Sequence, residues 1–178
     1  VGVAVVVGVA VVVGVGGMTT IGIDNGVTGG LVAMGHGSSI ISVLPMPCQR
    51  VAKGNEVDIR AVLGWLRELN LNSANSQIVI EEPAGHRIST TAASMAKTFG
   101  ALRGMIETKN FRYYRITAQY WQKTMIPNCK AGQTKARALS RAKELWPDET
   151  WRATPRSTTP HDGIIDAALI AEFGRIHL

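Results

Sequence analysis

Four acidic side chains stand where an acid is hard to accommodate. Asp24 ends the apolar, β-rich run 19–24, and Glu81 follows the β-branched run 77–80. Asp162 and Asp166 are four residues apart in a stretch of helical spacing, so both point to one helix face. Asp166 is flanked by Ile165, Ala167, Ala168 and Leu169, where an unpaired carboxylate is strongly disfavoured. Carboxylates on the ends of neighbouring strands repel one another. A hard divalent cation resolves that conflict, and magnesium takes oxygen ligands while keeping several waters. Two such ions can activate a water and stabilise the leaving oxygen of a phosphate ester. Each acid also has an ordinary reading. A strand-end Asp serves a turn, Glu81-Glu82 ends a strand in solvent, and Asp162 suits the first turn of a helix. Together the four favour a metal site.

The elements that must position these acids follow from pattern. Residues 19–24, 29–34 and 40–44 read as three strands joined by short turns, an antiparallel meander. Apolar residues at 59, 62, 63, 66 and 69 predict a helix over 57–69. A fourth strand covers 77–80. A long helix over 90–109 places Met95, Phe99, Leu102 and Ile106 on one face, which is either core or a dimer surface. Gly100 and Gly104 in that helix would permit close helix approach. A fifth strand covers 113–116, a basic helix 134–146 and a last helix 162–174. The order predicts an α/β fold: a five-stranded mixed sheet, three antiparallel meander strands plus two parallel ones, with helices on both faces.

Composition narrows the class. The 178 residues fit one ordinary domain. Hydrophobic residues at 46% and charged ones at 18% exclude a disordered chain. Cys48 and Cys129 are too few for a disulfide scaffold. They point to a reducing compartment. Residues 1–17 contain only 10 Val, 5 Gly and 2 Ala. This low-complexity leader lacks the basic region and cleavage site of a signal peptide. It is also short and Gly-rich for a membrane span. Met18 reads as the natural start and 18–178 as a single domain, with no membrane partner; a hydrophobic anchor is the alternative for the leader.

The residues also carry a resemblance. Ile21-Gly22-Ile23-Asp24-Asn25-Gly26 followed by Gly29-Gly30-Leu31 resembles the first hairpin of RuvC-type Holliday-junction resolvases. Ile78-Val79-Ile80-Glu81 resembles that family's second acidic strand, and His161-Asp162-Gly163-Ile164-Ile165-Asp166-Ala167-Ala168-Leu169-Ile170-Ala171 its C-terminal acidic helix. Ile116-Thr117-Ala118-Gln119 with Gln122-Lys123 is similar to a segment of the phage and organelle branches. So is Lys135 with the helix running to Trp146-Pro147. The resemblance spans 18–178 and rests on the order of motifs rather than on any one.

It implies a ribonuclease H-like fold and a homodimer that cuts two opposed strands of a four-way DNA junction. It implies two Mg2+ or Mn2+ ions per site and hydrolysis leaving a 5′-phosphate and a 3′-hydroxyl. Asp24 would bridge both ions, Glu81 would be the second-strand ligand, and Asp166 and Asp162 the C-terminal ligands. Many family members space the C-terminal pair three residues apart, whereas Gly163 stands at that position here. Asp162 is the substitute that helical geometry favours. His161 remains open as a base, a phosphate contact or a cap residue. Glu82, adjacent to Glu81, faces the opposite side of its strand.

Charge is uneven along the chain. Of 19 Lys+Arg and 13 Asp+Glu, residues 109–156 hold 11 and 3, a local +8. Lys123, Lys130, Lys135, Arg137, Arg141 and Lys143 are the candidate DNA-backbone contacts, with Arg87 in the loop after the Glu81 strand. Any one of them alone reads as a solvated surface charge. The four tryptophans read as core, and Trp121 beside Lys123 is the one to test for base stacking.

Three alternatives stay open. One is a ribonuclease acting on RNA–DNA hybrids within the same fold. Another is a non-catalytic junction-binding module, against which four intact acids argue. The Asp24–Gly30 hairpin also resembles the phosphate loop of actin-like ATPases, but those need a second lobe for which 161 residues leave no room.

Overall fold

Alternation of side chains along the first two strands sets the architecture. In the computed structural model, which describes residues 17–83 and 90–178, β1 (Thr19–Asp24) turns back into β2 (Gly30–Met34) and then β3 (Ile40–Pro45). A small hairpin, β4 (Cys48–Val51) and β5 (Gly54–Val57), leads to α1 (Ile59–Glu68) and β6 (Ser76–Glu82). The chain continues through α2 (Thr90–Thr108), β7 (Arg112–Thr117), α3 (Ala118–Met125), α4 (Thr134–Leu145) and α5 (Asp162–His177). The main sheet has the order β3-β2-β1-β6-β7. The first three strands are antiparallel, while β6 runs parallel to β1 and β7 parallel to β6. This is the α/β architecture expected from the pattern. Two features differ: the β4–β5 hairpin and α3 stand where no element is predicted.

The sheet divides the core in two. Ile21, Ile23, Ile78 and Ile80 face one side, against Val62, Trp65 and Leu66 of α1 and Leu102, Met105 and Ile106 of α2. Val32, Met34, Val79 and Ile116 face the other, against α3, α4 and α5. Strand alternation makes these sets strictly complementary. α1 begins where Asp58 accepts from the N–H groups of Arg60 and Ala61 at 3.0 and 3.1 Å and buries one apolar stripe, as a surface helix does. α5 is different. Residues 163–165 and 167–174 are buried all round, because the helix lies between the sheet and α3 and α4. Trp65, Trp121, Trp146 and Trp151 are all core residues. Leu102 and Ile106 belong to the core as well, whereas a Cβ added at Gly100 or Gly104 would meet nothing within 4 Å. Those glycines therefore serve no close helix approach among the described residues. No described helix is long and apolar enough to cross a membrane.

Candidate active site

Register and parity bring the acids together. The parallel pairing of β1 with β6 ends at Ile23↔Ile80, so Asp24 and Glu81 come one step beyond it on adjacent strands. Gly22 and Val79 precede them by two residues and lie against α5, so by strand alternation Asp24 and Glu81 face α5 too. α5 is pressed onto the sheet at backbone distance. A Cβ on Gly22 would come within 2.1 Å of the Ala167 carbonyl oxygen, and one on Gly163 within 2.4 Å of the Gly29 Cα. Only glycine fits at either point, and this approach sets the N-terminal turn of α5, with Asp162 and Asp166, over the ends of β1 and β6.

Each site acid is shaped by its surroundings. Burial pushes Asp24 up to about 6, against a hydrogen bond from the Gly26 N–H at 3.3 Å. Burial pushes Glu81 up to about 7; the Trp121 indole, donating to Oε2 at 2.7 Å, lowers it, and the Asp24 charge raises it. Asp166 is pushed up to about 8 by burial, then by the charges of Asp24, Glu81 and Asp162, with Lys135 acting the other way. Asp24 thus acts on Glu81, and both act on Asp166, which sets these groups within electrostatic reach of one another. Asp162 is half exposed and pairs with Lys135 Nζ at 2.6 Å. That surface pair contributes little to stability.

The remaining sequence candidates separate clearly. Glu82 faces away from the centre and pairs with Arg115 at 3.4 Å. His161 is the N-cap of α5, its Nδ1 accepting from the Ile164 N–H at 3.3 Å, so the cap role is the one its geometry supports. Lys123 lies on α3, Lys130 in the following loop, and Lys135, Arg137, Arg141 and Lys143 on α4. Both helices pack on α5, on the acid-bearing face of the sheet. Arg141 also pairs with Glu144 at 3.0 Å. Arg87 lies outside the described residues. Trp121 is fully buried and is therefore no stacking platform. Two contacts to Glu81 have no counterpart among the predicted site residues: the Trp121 indole, and Asn25, whose side-chain amide donates to the Glu81 carbonyl. Neither contact is readable from sequence: the local pattern does not encode the indole's partner, and Asn25 stands out only as the neighbour of Asp24.

The donor set suits a hard cation. Its oxygens are carboxylates; burial raises three of them, neighbouring acids add to the rise of Glu81 and Asp166, and a divalent ion would offset both causes. As the side chains stand, no three acidic, His or Cys groups among the described residues are drawn close enough to ligate one ion. Repulsion between like charges, and the pull of Lys135 on Asp162, work in that direction.

No protein-family model and no curated protein matches the chain. Solved structures do. The chain is similar to RuvC of Thermus thermophilus in complex with a Holliday junction substrate, with a TM-score of 0.58 and 18% identity over 89% of this chain and 96% of that one. A second Thermus thermophilus RuvC structure matches with a TM-score of 0.54 and 17% identity over the same shares. The likeness is one of fold: the five-stranded mixed sheet and its helices have the ribonuclease H-like arrangement of RuvC.

Proposed function

We propose that the chain is a divalent-metal-dependent, structure-selective endonuclease that resolves four-way DNA junctions by paired symmetric nicks. The observation that carries this reading is the gathering of Asp24, Glu81 and Asp166 on the α5 face at one end of the sheet, where the Asp24 charge reaches Glu81 and both reach Asp166. A purely structural centre has no use for three buried like charges. The fold, shared with a RuvC solved on a Holliday junction, supports branched DNA as the substrate.

Asp24, Glu81, Asp166 and Asp162 would hold two Mg2+ or Mn2+ ions. Asp24, whose charge reaches both Glu81 and Asp166, would take the central place among them that the family resemblance implies. Bound there, the ions supply Lewis acidity to the scissile phosphate and lower the pKa of water. The chain's own residues do the rest. α5 orients two carboxylates together, because the glycine contacts fix its distance from β1. Lys135 stands beside Asp162 at the exposed edge, where an arriving phosphate offers its ammonium a second anion. The cations of α3 and α4 track the backbone of a DNA arm without reading sequence.

Two opposed cuts need two centres, so a homodimer of residues 18–178 belongs to this reading. The Ile116–Lys123 segment and the helix to Trp146-Pro147 support the phage and organelle branch, working in a cytoplasm or an organelle.

The test incubates the protein with a labelled mobile four-way junction, a linear duplex and an RNA–DNA hybrid, in Mg2+ or EDTA. Paired nicks on the junction alone, abolished by EDTA, are expected. Hybrid cutting with an intact junction would replace this reading with a ribonuclease. Tight junction binding without cutting would replace it with a binding module.

A further inference from the structure

We infer that Trp121, seconded by Asn25, is a positioning residue for Glu81: a neutral donor that fixes the carboxylate without neutralising it. The inference rests on the nuclease reading and goes beyond it. Trp121 is completely buried, and a buried indole N–H needs an acceptor. The acceptor it has is Glu81 Oε2, at 2.7 Å. The chain builds this contact with little slack. Ile116 pairs with Glu81 across β7 and β6, and Thr117 then caps α3 by accepting from the Tyr120 N–H. Trp121 follows in the first turns of that helix, packed in the core under α5. Asn25 holds the other end of the residue. Its side chain is fully buried, and its amide donates to the Glu81 carbonyl just past the last β1–β6 pair.

The chemistry of the two donors matters more than their number. Lysine or arginine at either place would also anchor Glu81, but would cancel the charge a cation needs and repel that cation. An indole and an amide do neither. Oε2 is engaged, and Oε1 has no hydrogen-bond partner among the described residues. Asn25 Oδ1 is buried with no partner among the described residues, a cost accepted at a side chain whose amide donates to Glu81. Outer partners of this kind orient ligands and strengthen metal binding.

The test uses the full chain with Trp121→Phe, which removes the N–H and keeps an aromatic ring. The turnover number on the junction should fall by about 10–100-fold, with KM for the junction unchanged and more Mg2+ needed for half-maximal rate. Asn25→Ala should shift the same quantities in the same direction. A readout independent of cutting is the change in tryptophan fluorescence on adding Ca2+. It should be present in the native chain and absent in Trp121→Phe and in Glu81→Gln. If Trp121→Phe does not fold, replacing the indole by the isosteric benzothiophene side chain removes the N–H alone and reads the same quantities. Unchanged turnover and metal dependence, or a change in KM only, would overturn the inference and leave the nuclease reading intact. A native chain that neither cuts nor responds to Ca2+ would overturn both.

Discussion

The two ends of α5 treat buried acid in opposite ways. Near the C-terminal end, Glu172 is 4% exposed, and Arg175 meets its two oxygens at 2.7 and 2.8 Å while Ser38 donates at 2.9 Å. Burial pushes Glu172 up, but these donors and the Arg175 charge outweigh it and hold the carboxyl below its ordinary range. Arg175 also donates to the His36 carbonyl at 3.2 Å, which ties the helix end to the β2–β3 turn. At the N-terminal end, burial and the charges of Asp24, Glu81 and Asp162 push Asp166 up to about 8, against only the weaker pull of Lys135. One helix thus carries an acid that brings its own counter-charge and an acid that waits for one. The first consolidates the fold; on the proposed function, the second receives its counter-charge from a bound cation.

The sharpest break of this contrast is exchange of the two neutralities. Asp166→Asn should reduce cleavage by about 1,000-fold, equivalent to about 4 kcal/mol of transition-state stabilisation. Junction binding should persist, and melting in EDTA at pH 8 should move upward because repulsion is relieved. Retained cutting would remove Asp166 from the site. Arg175→Met does the reverse: it strands Glu172 and should destabilise the protein by about 3 kcal/mol, roughly 10 °C in melting temperature. Cleavage per folded molecule should be unchanged, which paired melting and active-site titration can check.

Acidity sharpens the same comparison. Asp24, Glu81 and Asp166 have folded pKa values raised from 3.8, 4.5 and 3.8 to about 6, 7 and 8. Between these limits the folded state binds more protons than the unfolded one, so stability falls as pH rises. In EDTA, the melting temperature should drop steadily from pH 5 to pH 8. Mg2+ should flatten that slope. Glu172 works in the opposite sense: its lowered pKa stabilises above the unfolded value of 4.5, and the gain is lost as pH falls through the folded value. A melting temperature that rose from pH 5 to pH 8 in EDTA would contradict the shared-charge picture. The smallest effect belongs to Lys135→Met. It should leave melting unchanged, weaken junction binding slightly and reduce its salt slope by about one counterion.

The acids were legible because burial and register leave traces in sequence. Asp24 and Glu81 each end an apolar run, and two parallel runs place their ends side by side. Asp166 sits inside an apolar turn, where a carboxylate demands a reason. The β4–β5 hairpin left no such trace. Cys48, Gln49, Arg50, Gly54 and Asn55 are exposed, so no alternation is imposed on it. α3 is only eight residues long and follows β7 with no intervening loop, too short for periodicity to declare itself. Trp121 was legible as core but not as a partner of Glu81, because that bond joins residues 40 apart through a strand and a helix whose packing the local pattern does not encode. The tightness of α5 on the sheet was hidden likewise, since Gly22 and Gly163 declare a close approach only once their neighbours are known.

The place of α5 in the chain bears on when activity can begin. Asp24 lies in the first described strand and Asp162 and Asp166 in the last described helix, packed directly against it. Domains emerge from the ribosome N-terminal part first. Until α5 is made, a nascent chain lacks two of its four acids and the helix that fills one side of its core. On the proposed function, cleavage can therefore begin only once α5 has packed against β1 and completed the set of four acids.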